Sequence, residues 1–173
     1  AMDMVGERLE KEELFIPEMF LAAEAMNRGL ELLRPLFVGK GIKPQGTLVI
    51  GTVEGDRHDI GKRLVAMMMV SAGFKVIDLG VDVSAEKFVE AVKREGAQLV
   101  GMSALLTTTL PTMKATIEVL KESGLSDKVK TLIGGAPVTQ EYAGEIGADG
   151  YAPDAATGVK KAKELVQSLA AEK

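Results

Sequence analysis

Apolar residues fall along this chain in two rhythms, and the change between them near residue 44 divides it. Over residues 3–38, Phe15, Ile16, Met19, Phe20, Ala23, Met26, Leu30, Leu33 and Phe37 recur every three or four positions, the broad stripe of an amphipathic helix. Pro17 suits a first helical turn, and a shorter helix is predicted over Met4–Lys11. Gly39–Gly46 reads as a linker. From Thr47 the rhythm becomes β-α-β-α. Strands are predicted at 47–53, 75–79, 98–103, 129–134 and 149–152, with helices at 60–73, 84–95, 111–123, 138–146 and 155–171. The connections are short and punctuated by Gly, Asp, Ser or Pro, as α/β units require. Ser84 and Asp154 sit where N-caps belong; Gly73, Gly96 and Gly124 sit where helices should close. Five parallel strands wrapped on both faces by helices is the economical fold. The strand order 2-1-3-4-5 is expected, although periodicity does not dictate it.

Composition narrows the chemistry. The 173 residues carry a net charge of −4 and no basic stripe, which leans away from nucleic acid and anionic membranes as partners. With no cysteine, disulfides, thiolate metal sites and cysteine nucleophiles are excluded. The longest apolar stretch, Leu64–Val70, is too short to span a bilayer. No signal peptide is visible, so the cytoplasm is the default compartment. Ala1 ahead of Met2 looks like a cloning remnant, and a longer parent protein is left open. The run Met67-Met-Met69 reads as core filling, and Arg57 and Arg63 as solvated surface.

The chain has one histidine, His58. It lies in Asp56-Arg-His-Asp-Ile-Gly61, directly after the first predicted strand, on a loop at the strand's carboxyl end where open α/β sheets bind ligands. Asp56 and His58 are two apart, so in extended backbone their side chains project to one side. A carboxylate there can hold one imidazole nitrogen and leave the other for a metal. The loops after the third and fourth strands, Ser103–Pro111 and Gly134-Gly-Ala-Pro137, lie on the same rim and add hydroxyls and a glycine pair. Together they imply a large ligand along the sheet edge. His58 could instead be a turn residue bonded to Asp56. One His and no Cys weigh against a conventional zinc site. No Gly-x-Ser-x-Gly elbow supports a Ser103 hydrolase, and a receiver-type phosphoacceptor has no use for the histidine. A solitary imidazole makes most sense beside a metal whose other positions a macrocycle fills.

Asp56-x-His58-x-x-Gly61, then Ser103-x-Leu105, then Gly134-Gly135, resembles the signature of cobalamin-binding domains in methionine synthase and corrinoid-dependent methyltransferases. Leu14-Phe-Ile-Pro-Glu-Met19, Ala22-Ala-Glu-Ala-Met26 and Leu33-Arg-Pro-Leu36 resemble the second half of the helical cap over the corrin. The closing Gly147–Asp154 is more like stand-alone corrinoid proteins of methylamine, methanol or methoxyarene systems. The resemblance implies an α/β, flavodoxin-like domain over 44–173 with a partial helical cap over 1–43. It implies a cobamide bound base-off, with His58 as the axial ligand to cobalt, Asp56 orienting it and Thr109 completing a relay. Ser103 and Leu105 would contact the detached lower base. Asp59, Gly61, Thr107, Gly134 and Gly135 would complete the cofactor contacts, and Leu9 and Ile16 would lie over the methyl-bearing face.

The activity so implied is methyl carriage, between cobalt(I) and methylcobalt(III), by a non-catalytic carrier subunit. Its partners would be a substrate-specific methyltransferase, a second methyltransferase taking the methyl group, and a reductive activase. A half cap exposes an apolar face that could pair with a second copy, a homodimer. The rival readings are a binding subunit of an adenosylcobalamin mutase, a cobalamin-sensing regulator fragment, and a flavodoxin-like domain without cobalamin.

Overall fold

Every residue of the strand Thr47–Thr52 (β1) is buried, as a central strand covered on both faces requires. In this computed structural model, which describes residues 4–5, 8, 11, 13–15, 17–19, 21–22, 24–26, 28–29 and 44–171, β1 is followed by helix α1 (Ile60–Ser71), β2 (Lys75–Asp78), α2 (Ala85–Glu95) and β3 (Leu99–Ser103). A 3₁₀ turn at Thr107–Thr109 leads into α3 (Leu110–Glu122). Then come β4 (Lys130–Gly134), α4 (Gln140–Ile146), β5 (Gly150–Ala152) and α5 (Ala155–Ala171). The strands form one parallel sheet in the order β2-β1-β3-β4-β5, the expected one.

Alternation along β1 sorts the core into two layers. Leu48 and Ile50 pack with Leu64, Met68, Met69, Val159 and Leu165 under α1 and α5. Val49 and Val53 pack with Phe88, Val92, Met113 and Ile117 under α2 and α3. Of the methionine run, Met68 and Met69 are core, as predicted. Register then sets the rim: Thr52 pairs with Ser103, and Ser103 with Gly134. The carboxyl ends of β1, β3 and β4 therefore finish level, with the three motif loops side by side.

The ends of the helices follow local chemistry. Asp154 caps α5, accepting from the Thr157 N–H at 2.8 Å and its hydroxyl at 2.9 Å. Ser84 holds the N-cap position of α2 but its side chain makes no cap bond. Gly96 closes α2 in the left-handed conformation. The described N-terminal residues are helical at 4–5, 8, 17–19, 21–22, 24–26 and 28–29. Glu18 accepts from the Phe15 N–H at 2.9 Å, which starts the segment containing Pro17. Met19 is fully buried against the α1–α5 layer. Among the described residues, no helix is long and apolar enough to cross a membrane.

Candidate functional site

Asp56 is fully buried, yet its carboxylate meets only donors. One oxygen, Oδ1, accepts from the His58 N–H at 3.0 Å and from the imidazole Nδ1 at 2.7 Å. The other, Oδ2, accepts from the N–H groups of Leu105 at 2.6 Å and Leu106 at 3.0 Å. Burial alone would push this carboxyl up, but the N–H groups of His58 and Leu105, the imidazole and the Leu106 N–H reverse it and hold it well below the usual carboxylate range. An ionised Asp56 fixes the proton of a neutral imidazole on Nδ1, so Nε2 keeps its lone pair. The side chain of His58 is 53% exposed, so that lone pair sits on an accessible ring.

Thr109 is buried in the same place, but its hydroxyl has one proton and two acceptors. It lies 2.8 Å from the Leu106 carbonyl and 3.3 Å from Asp56 Oδ2. The shorter contact is the stronger one, so Thr109 chiefly ties the 3₁₀ turn, and the two amides of Leu105 and Leu106 do most of the work on Oδ2. The ligand loop is closed from beneath by Thr52, whose hydroxyl donates to the His58 carbonyl at 3.0 Å.

Beside this network lies a cavity of about 370 Å³ between the sheet and α1 and α5. Gly61, Ser103, Gly134 and Gly135 line it, together with Met69, Gly101, Asp154 and Gly158. Its volume falls in the range of roughly 300–1,000 Å³ typical of small-molecule sites. A Cβ built on Gly61 meets nothing within 4 Å, so that glycine borders open space. Gly135 differs: at φ +132°, a conformation that strains any L side chain, its Cβ would also sit 1.8 Å from the Ala104 carbonyl oxygen, so only glycine fits. Leu105 and Thr107 lie outside the cavity, exposed on the rim above Asp56, and Asp59 sits at the N-cap position of α1. Leu9 and Ile16 lie outside the described residues. Arg57 and Arg63 are exposed.

Sequence reasoning passed over Lys62. Its side chain is 1% exposed and pairs with Asp78 at the end of β2, Nζ lying 2.5 and 2.6 Å from the two oxygens. The signal was a lysine on the inward stripe of a helix, one turn after His58. Among the described residues, no three His, Asp or Glu side chains converge on a metal-sized point. A metal bound here would therefore have to bring most of its own ligands. A corrin does so, and the single accessible imidazole, the buried carboxylate behind it and the adjoining cavity fit that group.

Residues 46–160 match a family model described as a B12 binding domain, and residues 1–34 match a second model of that description. The chain is 51% identical over 166 residues to dimethylamine corrinoid protein 3 of Methanosarcina mazei, covering 95% of this chain and 99% of that protein. It resembles the crystal structure of a novel cobalamin-binding protein from Desulfitobacterium hafniense DCB-2, with a TM-score of 0.83 at 38% identity over 95% of this chain and 77% of that one. It likewise resembles the methanol:cobalamin methyltransferase complex MtaBC of Methanosarcina barkeri, with a TM-score of 0.83 at 33% identity, covering 96% of this chain and 63% of that chain.

Proposed function

The chain belongs to the B12-binding domain family, and on that premise we propose that it is a corrinoid carrier of a methylamine-type methyltransferase system. In this reading it passes a methyl group between a substrate-specific methyltransferase and a second one that accepts it, and a reductive activase restores it after oxidation. A corrinoid bound at the rim supplies a cobalt centre able to accept and give up a methyl group. What carries the reading is the imidazole of the sole histidine, with Nδ1 committed to a buried, ionised carboxylate and Nε2 left on an exposed ring.

The protein's own residues divide the work. His58 would hold the cobalt through Nε2, in place of the cofactor's own lower base. Asp56 fixes the ring's tautomer and orientation, as carboxylates behind ligand imidazoles do. The amides of Leu105 and Leu106 keep Asp56 ionised and in place. Ser103, Gly61 and Gly134 border the cavity that would take the cofactor's nucleotide tail, to which the Ser103 hydroxyl would offer a neutral hydrogen bond. Leu105 and Ile60, both large exposed apolar side chains, would offer apolar surface to the macrocycle. The described helical residues between 4 and 29 are taken as part of a cap that would move aside when a partner docks; the rest of the expected cap lies outside the described residues.

The test is reconstitution of the full chain with methylcobalamin and, separately, adenosylcobalamin, followed by electron paramagnetic resonance of the cobalt(II) form. Nitrogen splitting from imidazole is expected in the native chain and is lost in His58→Gln. Stable methyl loading supports a carrier, and selective retention of the adenosyl form points to a mutase-type subunit. Failure to take up any cobamide, or a spectrum unchanged by His58→Gln, overturns the reading.

A further inference from the structure

Granting that His58 is a cobalt ligand, we infer that Asp82, on the loop after β2, is a positioning residue that holds the ligand loop in its binding geometry. Asp82 is the one non-glycine residue with positive φ among those described, at +56°. Such a conformation is unfavourable for L residues, though Asp tolerates it better than most. Asp82 is also exposed, so no core packing requires it there. Strain of this kind without a packing cause gathers at functional sites.

The conformation lets one residue grip the ligand loop twice. The Asp82 N–H donates to the Asp56 carbonyl at 3.0 Å, and its Oδ1 accepts from the Gly55 N–H at 2.8 Å. These two bonds straddle the peptide just before the carboxylate that orients His58. The backbone around them is pinned too: Val53 bridges to Val83, the Thr52 N–H donates to the Gly80 carbonyl, and the Val83 N–H donates to the Thr52 carbonyl. At the other end of the ligand loop, Asp78 holds Lys62 in the first turn of α1 and also accepts from the Gly80 N–H at 2.9 Å. The end of β2 and the loop after it thus fix residues 55–62 at both ends through carboxylates.

The consequence is for ligation. An exposed imidazole on a short loop competes with water for a metal, and any freedom the loop has must be given up when the bond forms. Asp82 removes part of that freedom beforehand while touching neither the imidazole nor the cofactor site.

The experiment uses the full chain carrying Asp82→Ala, Asp82→Gly or Asp82→Asn, loaded with cobalamin and reduced to cobalt(II). The ratio of water-ligated to imidazole-ligated cobalt, read from nitrogen splitting, should rise about five- to tenfold in Asp82→Ala. Asp82→Gly relieves the backbone but lacks the carboxylate; it should show the same rise while melting no lower than the native chain. Asp82→Asn keeps an oxygen acceptor and should restore most of the native ratio. In the cofactor-free chain, amide exchange at Gly55 should accelerate in the Ala and Gly variants and not in Asn. Native ratios in all three variants, with unchanged Gly55 exchange, overturn the inference. A native chain without nitrogen splitting overturns the ligation itself, a failure distinct from splitting that all variants reproduce.

Discussion

Replacing Asp56 by Asn would remove a charge while keeping the shape, and the geometry states what that does. All of the groups facing the carboxylate are donors, and Asn offers one oxygen and one NH₂. With its oxygen toward His58, the NH₂ confronts the N–H groups of Leu105 and Leu106. Flipped, it confronts the N–H and Nδ1 of His58. The first orientation leaves two buried amides without an acceptor; the second leaves the His58 N–H without one, since the imidazole can shift its proton to Nε2 and accept at Nδ1. Each unsatisfied donor costs about 1–3 kcal/mol, so the second orientation prevails and a loss of about 1–3 kcal/mol at pH 7 is expected. At this chain length that lowers Tm by about 2–12 °C. The effect has a pH signature. Asp56 is held below the ordinary aspartate range, so above about pH 4 both states are ionised and its stabilisation is complete. As pH falls further the unfolded chain binds the proton first, and the stabilisation drains away. The gap between native chain and variant should therefore be widest at pH 5 and above and narrow toward pH 2. Urea unfolding followed by circular dichroism at pH 7, 5 and 3 measures it. A variant within about 0.5 kcal/mol of native at pH 7, or a gap undiminished at pH 3, would refute the reasoning.

Other perturbations separate folding from ligand binding. Gly61→Ala should stabilise the cofactor-free chain by about 0.5–1 kcal/mol, because its Cβ meets nothing in a helix, whereas Gly61→Phe should fold and fail to bind cobamide; thermal melts and cobamide uptake check both. Gly135→Ala should not accumulate as soluble native protein, since its Cβ would collide with the Ala104 carbonyl; normal expression with a native melt would count against it. Asp78→Ala leaves Lys62 buried without its partner and should cost about 3–5 kcal/mol, against a smaller loss for Lys62→Met, which leaves a partly exposed carboxylate that water can solvate. Equal losses on urea unfolding would contradict that asymmetry.

Much of the architecture was legible before any coordinates. From Thr47 onward the strand and helix limits lie within two residues of those read from periodicity, because β-branched runs and helical stripes here agree with their flanking Gly, Asp and Ser residues. Ser84 shows the limit of such reading: the position is right and the cap bond is not made. At the site, spacing brought Asp56 and His58 together correctly, since two residues on one loop need no tertiary information to meet. The resemblance implied that Thr109 completes a relay to Asp56; its hydroxyl lies 3.3 Å from Oδ2, while two backbone amides come closer to the same oxygen. An amide carries no sequence signature, so no residue pattern could have announced it.

The sequence by itself determined the alternation of elements, the chemistry available at one sheet edge, and the pairing of a lone imidazole with a carboxylate two residues away. Only the tertiary structure decided which groups surround that carboxylate, that Asp78 and Asp82 grip the ligand loop from a neighbouring strand's end, and that Gly61 borders open space while Gly135 is forced by a carbonyl. The physical reason is range. Propensity and periodicity act over a few residues, whereas a carboxylate's protonation and a glycine's necessity depend on atoms brought close by the sheet register from some fifty residues away.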